Sequence, residues 1–109
     1  YHEEYKAIDW ENTSLRKWLN EEFYQSFDEK EKARLLKNTA QMDDIFLLSN
    51  ENIKSYSKLK KANKSWWIAS EGSEKTNAMY VEENGIINQK GDIITKSHGV
   101  RPSIWLNLD

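Results

Sequence analysis

The sequence predicts an α+β domain. The observations behind this are a helical spacing of apolar residues in the first third of the chain and a series of short β-rich runs in the second half. Helices followed by strands are typical of α+β domains, whereas parallel α/β folds alternate the two. A length of 109 residues suits one hydrophobic core, so we expect residues 1–109 to form a single domain. Because the chain begins with tyrosine, we expect it to be part of a longer protein.

A first helix is predicted within residues 11–27, because the apolar side chains recur there at spacings that place them on one helical stripe. The stripe consists of Leu15, Trp18, Leu19, Phe23 and Phe27. Small polar side chains at its start can accept a hydrogen bond from a free backbone N–H group. The candidate caps are Asn12, Thr13 and Ser14.

A second helix, a buried strand and a third helix are predicted next. Residues 28–36 begin with Asp28 and Glu31, which have the spacing of a capping box. The run DDIFLLSN holds four consecutive large apolar residues, which is typical of a strand buried on both faces, so we predict a central strand at Asp44–Leu48. Ser49 can cap a short helix after it.

Five short β-rich runs make up the second half: WWIAS, AMYVEE, GIINQ, DIITK and SIWLNL. Asn84-Gly85 lies between the second and third runs and predicts a hairpin with a type I′ turn, because both residues tolerate a positive φ. Gly91-Asp92 predicts a second turn. The lysine-rich residues 57–65 precede the first run and are typical of a surface loop.

Composition excludes several classes of protein. A net charge of -2 and a pI near 5.7 give no overall attraction to nucleic acid, so no such partner is expected. No apolar stretch approaches the roughly 20 residues that cross a bilayer, so we expect no membrane insertion. The absence of cysteine rules out disulfides and thiolate zinc sites. It leaves the compartment open, with a bacterial cell surface or secretion favoured over the cytoplasm.

Catalytic patterns are scarce. The carboxylate pairs at 43–44 and 82–83 are adjacent in sequence, and adjacent strand residues point to opposite faces, so neither pair forms a catalytic dyad. His2 and His98 lack the spacing of a helical zinc site, and we interpret His98 as a turn residue. No phosphate-binding loop or nucleophile elbow is present. The sequence therefore predicts no enzyme, no cofactor and no metal site.

Tryptophans provide the candidates for ligand contact. Lysines before Trp66 and Trp67 could flank a base-stacking groove, but a solvated loop leading into a core strand explains the same residues. On a strand the two indoles face opposite ways, so one belongs to the core and the other lines a groove or packs under a helix. We predict a ligand contact at Trp66, Trp67 or Trp105, with a glycan or a protein as the ligand of a monomeric domain.

The segment HGVRPSIWL contains the one proline of the chain. Gly99 permits a tight turn, and Pro102 biases Arg101 to an extended conformation that delivers the last strand to the sheet. The planar guanidinium of Arg101 can pair with a carboxylate, and a structural ion pair is favoured over ligand recognition because a buried arginine must be paired. The candidate partners are Asp44, Glu51 and Glu31.

Several of these motifs, in this order, resemble a bacterial family of domains of unknown function. They are SLRKWLN at 14–20, Phe27 with Glu31, DDIFLLS at 43–49, Glu51, WWIAS at 66–70, Asn84-Gly85 and GVRPSIWL at 99–106. That family is similar to the C-type-lectin-like fold of formylglycine-generating enzymes, which implies helices packed on a small, twisted antiparallel sheet. The family usually has WWLRS followed by Pro-Gly, whereas this chain lacks that arginine and proline, so an anion-binding role there is not carried over.

The resemblance and the scarcity of catalytic patterns favour a non-catalytic ligand- or protein-binding module of a larger bacterial protein. The alternative is an enzyme related to formylglycine-generating oxidases, which rely on cysteine thiolates and copper, and the absence of cysteine counts against it. A structural spacer is a third hypothesis. An exposed aromatic cluster on the folded surface would distinguish a binding module from a spacer.

Overall fold

A computed structural model of the protein describes residues 1–37, 43–55 and 63–106. The helices among them are α1 (Ser14–Trp18), α2 (Glu29–Ala33) and α3 (Asn50–Ser55). A 3₁₀ turn precedes α1 at Trp10–Asn12, and α1 continues into a π-helical turn, Leu19–Phe23, and a 3₁₀ turn, Tyr24–Ser26. No helix in the described ranges is both long and apolar enough to span a membrane.

The strands form two antiparallel sheets. They are β1 (Leu35–Leu36), β2 (Trp66–Glu71), β3 (Asn77–Val81), β4 (Ile87–Ile93) and β5 (Trp105–Leu106). The larger sheet has the order β2-β3-β4, and β1 pairs with β5 in a separate two-stranded ribbon. Helices before a small antiparallel sheet confirm the predicted α+β class.

Both faces of the three-stranded sheet are buried. Leu19 of the π-helical turn packs in one cluster with Trp67 of β2 and Ala78 of β3. Ile53 of α3 packs in a second cluster with Trp66, on the opposite face of the same strand. The sheet therefore lies between the N-terminal helical segment and α3, which explains why β2 begins with three buried residues in succession.

Local signals at the helix starts are confirmed. The hydroxyl of Thr13 accepts a hydrogen bond from the N–H of Arg16 at 3.2 Å, so Thr13 is the cap of α1. Asp28 and Glu31 form the predicted capping box, with two reciprocal hydrogen bonds of 2.8 Å. The predicted apolar stripe is only partly buried, because Leu19 is fully covered whereas the adjacent Trp18 is 43% exposed.

The predicted central strand at Asp44–Leu48 is wrong, although Ile45, Phe46 and Leu47 are buried. The segment makes one β-bridge, between Phe46 and Ser103. The amide of Asn20 accepts from the N–H groups of Asp44 and Ile45, and its NH₂ group donates to the Ile45 carbonyl. A side chain thus occupies backbone groups that a longer ladder would need.

The second predicted helix is shorter than expected. It ends at Ala33, and Leu35 and Leu36 instead form β1 by pairing with Leu106 and Trp105. Apolar residues at consecutive positions suit either element, and here a partner far along the chain decides the outcome.

The hairpin at Asn84-Gly85 is confirmed, but its turn is not type I′. Gly85 has φ 88° and its N–H donates to the Glu82 carbonyl, while the N–H of Glu82 donates to the carbonyl of Ile86. This pattern is typical of a three-residue loop closed by a glycine bulge. The side-chain oxygen of Asn84 accepts a hydrogen bond from the Ile86 N–H. A two-residue turn would need that N–H group for a backbone hydrogen bond.

The predicted turn at Gly91-Asp92 is wrong, because both residues lie within β4. Gly91 has φ 78°, and a Cβ atom there would lie 2.4 Å from the Ala78 carbonyl oxygen. Pairing with β3 shifts register between Ala78 and Tyr80, so a bulge replaces the turn and joins two predicted strands into one. Most of the predicted lysine-rich loop, and residues 107 and 108 of the last run, lie outside the described residues.

Candidate binding site

Trp66 and Trp67, the first two predicted ligand contacts, are both buried, with 2% and 1% of their surface exposed. They face opposite sides of β2, as predicted, and each belongs to a different core cluster. The second indole was predicted either to line a groove or to pack under a helix. Trp66 packs under a helix, because it shares its cluster with Ile53 of α3. Direct ligand contact through either indole would require the core to open.

Trp105, the third predicted contact, is 49% exposed. Its ring stacks on Phe46 with centroids 6.3 Å apart and an interplanar angle of 25°. It lies opposite Leu36 in the β1–β5 ribbon, and Leu36 and Leu106 are 47% and 48% exposed. Leu36 and Trp105 are a cross-strand pair and point to the same face of the ribbon, which we call the ribbon surface, whereas Leu106 points to the other face.

The guanidinium of Arg101 lies over the ring of Trp66, 4.6 Å from its centroid. A cation in this position is attracted by the negative face of the indole. Among its predicted carboxylate partners, Asp44 pairs with Lys37 at 3.1 Å, and Glu31 belongs to the capping box of α2. Glu51 lies in the first turn of α3. The ion pair predicted for Arg101 stays a prediction.

A buried ion pair that sequence reasoning missed joins Arg16 to Asp43. The Nε and Nη2 atoms of Arg16 lie 2.7 and 2.6 Å from Oδ1 of Asp43, whose side chain is 1% exposed. The indole N–H of Trp10 donates to Oδ2 at 3.2 Å. The hydrogen bond to Asp43 raises the pKa of Arg16, against the opposing effect of burial.

Asn20 makes a second contact between the first helical segment and residues 43–45. It lies four residues after Arg16 in one continuous helical segment, so both side chains project from the same face. Its amide makes three hydrogen bonds to the backbone of Asp44 and Ile45, as described above, and a fourth to the Arg16 carbonyl at 3.1 Å. Arg16 and Asn20 therefore hold residues 43–45 against the helix by one charged and one neutral contact.

Hydrogen bonds also connect the side chains of Ser65, His98 and Asp92 in series. The hydroxyl of Ser65 lies 2.6 Å from Nδ1 of His98, and Nε2 of the same ring lies 2.9 Å from Oδ2 of Asp92. A carboxylate only accepts, so Nε2–H donates to Asp92, and the tautomer that carries its proton on Nε2 leaves Nδ1 to accept from Ser65. Sequence reasoning had no local signal for this hydrogen-bonded series, because Ser65 and His98 are separated by 33 positions.

Aromatic rings fix the orientation of His98. Tyr80 stacks on the imidazole with centroids 4.2 Å apart, and Trp67 meets it edge-on at 4.5 Å. The side chain of His98 is 11% exposed. Backbone contacts of Gly99 with Ser65 and Trp67 hold the neighbouring turn against β2. The arrangement connects β2, β4 and the turn after β4, so its evident effect is to order this part of the fold.

No group of three or more histidine, aspartate or glutamate side chains in the described ranges could hold a metal ion. The side chains of the Arg16–Asp43 pair and of the Ser65–His98–Asp92 series already have hydrogen-bond partners within the protein.

Comparison with known proteins identifies one family. A family model described as "Domain of unknown function (DUF6273)" matches residues 1–64 and again residues 38–108. No curated protein and no solved structure matches the chain significantly. The two matches together span nearly the whole chain.

Replacing Arg16 by Met should destabilise the fold by about 3 kcal/mol, because it leaves the Asp43 carboxylate buried without its cationic partner. Urea denaturation measures the change in the free energy of unfolding. Lys17→Met is the matched control, since Lys17 is the exposed neighbour of Arg16. Equal stabilities of the two variants would contradict a stabilising role for the ion pair.

Asp92→Asn should remove part of the acid dependence of stability. Burial tends to raise the pKa of Asp92, but hydrogen bonds from His98 and the Ile93 backbone and nearby positive charge outweigh it and hold the pKa below the ordinary value of 3.8. A lowered folded pKa means that ionised Asp92 stabilises the fold above pH 3.8 and that this contribution is lost as pH falls through the folded pKa.

Urea denaturation of wild type and Asp92→Asn between neutral and acid pH measures this contribution. We expect the difference in stability to be constant well above pH 3.8 and to shrink below it. Glu83→Gln, in the exposed turn, is the control for removal of a carboxylate. A difference that does not change with pH would contradict the assignment.

Proposed function

Because the chain belongs to DUF6273, a family of domains of unknown function, we propose a role for it from its surface: a non-catalytic protein-binding module of a larger bacterial protein. The observation that carries this proposal is the ribbon surface. Its two large apolar side chains, Leu36 and Trp105, are each about half exposed on a sheet of only two strands. Contiguous exposed apolar residues of this kind are typical of interaction sites.

The ribbon surface has the features of a binding anchor. Trp105 stacks on the buried ring of Phe46, so the indole is ordered before a partner binds. Ordered tryptophans contribute strongly to protein interfaces because little conformational entropy is lost when they bind. The two-stranded ribbon is too small to bury its own side chains, so a partner would complete it.

Protein is favoured over glycan by the chemistry around Trp105. Its cross-strand neighbour and its chain neighbour are both leucines, which offer no hydrogen bonds to sugar hydroxyls. Arg34, an exposed residue beside the leucines of β1, places positive charge near the ribbon surface, whereas Lys37 on their other side is already paired with Asp44. The partner is therefore a protein segment with apolar side chains and at least one carboxylate.

The remaining parts of the proposal follow from the sequence. The lectin-like resemblance supports a module with a bacterial, extracellular setting, and the absence of cysteine removes the thiolates on which a formylglycine-generating oxidase depends. The position of Arg101 over the buried Trp66 supports a structural role for its charge. A structural spacer would not need an ordered, exposed tryptophan.

Selection from a displayed random peptide library tests the proposal. We expect enriched peptides to combine apolar and acidic residues, to bind wild type, and to lose at least tenfold in affinity for Trp105→Ser. Ile86→Ser is the matched control, because Ile86 is a 60% exposed apolar residue in the β3–β4 loop. Peptides that bind both variants equally, or a Trp105-dependent signal on a glycan array instead, would overturn the protein assignment.

A second candidate function is a serine hydrolase, which the Ser65–His98–Asp92 chain specifically favours. A nucleophile bonded to a base that is oriented by a carboxylate is the arrangement of catalytic triads. Here serine is bonded to Nδ1 and aspartate to Nε2, and the ring is 11% exposed between Tyr80 and Trp67. We favour the structural role, because an enclosed base leaves little space for a substrate beside it.

Labelling with a fluorophosphonate probe separates the two functions. A binding module should give no label on Ser65 after prolonged incubation, as judged by intact mass. Labelling of wild type that is abolished in both Ser65→Ala and His98→Gln would establish the hydrolase and refute a non-catalytic module. Ser103→Ala controls for the loss of a serine elsewhere.

A further inference from the structure

A cavity of about 210 Å³ lies between the N-terminal segment and the edge of the main sheet. Two aromatic rings and two carboxylates line it, those of Tyr1, Trp10, Asp9 and Glu71, and we call these four residues the cage. The cavity equals the volume of about seven water molecules. It is therefore large enough for a compact group of five or six heavy atoms.

The two rings of the cage are fixed in place. Their centroids are 5.5 Å apart and their planes are inclined by 52°, so together they form an aromatic notch. Tyr1 also packs on the buried Trp67 at 5.2 Å, and the indole N–H of Trp10 is held by Asp43. A ligand would meet rings that are already ordered, which reduces the entropy lost on binding.

The acidic residues of the cage are Asp9 and Glu71. Both are exposed residues that line the cavity. Burial, and then the charge of Glu71, raise the pKa of the Tyr1 phenol. Lys75 lies 3.5 Å from Asp9 and supplies one cation there, and the α-amino group of Tyr1, whose pKa is lowered by burial, is a second basic group at the cage.

We propose that the cage binds a quaternary ammonium group. Aromatic faces attract cations through their electron density, and the carboxylates that line the cavity add Coulombic attraction. A methylated ammonium has no N–H groups to satisfy and is only weakly hydrated, so it suits a notch whose aromatic walls accept few hydrogen bonds. This site is distinct from the ribbon surface, and neither proposal depends on the other.

Titration of the full chain with choline, followed by the NMR signals of the Tyr1 and Trp10 rings, tests the proposal. The control is 3,3-dimethyl-1-butanol, which has the shape of choline without its charge. We expect saturable shifts with choline only, and weakening by salt. Absence of saturation, or equal affinity for the neutral compound, would overturn the proposal.

Substitutions at exposed positions keep the test independent of folding, since Trp10 anchors Asp43 and its loss could unfold the chain. Glu71→Gln should weaken choline binding about fivefold through loss of one carboxylate. Lys75→Met should tighten it by releasing Asp9, and Glu83→Gln, in the β3–β4 loop, should not change it. Unchanged affinity in both Glu71→Gln and Lys75→Met would refute the cage.

A parallel titration with Nα-acetyl-trimethyllysine methylamide identifies the source of the ammonium group. Tighter binding of this compound than of choline would assign the cage to a methylated lysine side chain of a protein. Tighter binding of choline would assign it to a free small molecule or headgroup. Failure of both compounds to bind would overturn the proposal.

Discussion

The attachment of residues 43–45 to the first helical segment is the constraint on which the rest of this structure depends. Arg16 neutralises the buried Asp43, and Asn20 occupies the backbone groups that follow it. With those residues held, Ile45 and Leu47 enter the cluster that covers one face of the sheet. The next residues then lead into α3, whose Ile53 covers the other face. A charged contact at the periphery thus places apolar residues on both sides of β2.

Sequence reasoning succeeded where the signal was local. The Asp28–Glu31 capping box and the cap at Thr13 depend on residues within one helical turn, and the hairpin at Gly85 depends on one left-handed residue. It failed where a distant partner decided the outcome. Leu35 and Leu36 form a strand only because β5 is available, and Gly91 bulges because the Ala78 carbonyl lies against it.

In the candidate site too, local geometry was predictable from the sequence and contacts between distant residues were not. The opposite orientation of Trp66 and Trp67 follows from strand geometry, but the helix that covers Trp66 does not. Sequence reasoning singled out Arg101 as the arginine that needs a carboxylate partner, and it missed the pair of Arg16 with the buried Asp43. The available signal was the four-residue spacing of Arg16 and Asn20, which places both side chains on one helix face ahead of the acidic pair at 43–44.

Pairing between β1 and β5 has a consequence for the order of folding. Leu35 and Leu106 are partners across 71 positions, 106 minus 35, whereas β3 and β4 are joined by a short loop. Closing a long chain segment costs more entropy than closing a short one, so the hairpin sheet can assemble early and the ribbon late. We therefore expect the exposed tryptophan of β5 to reach its final position after the three-stranded sheet has formed.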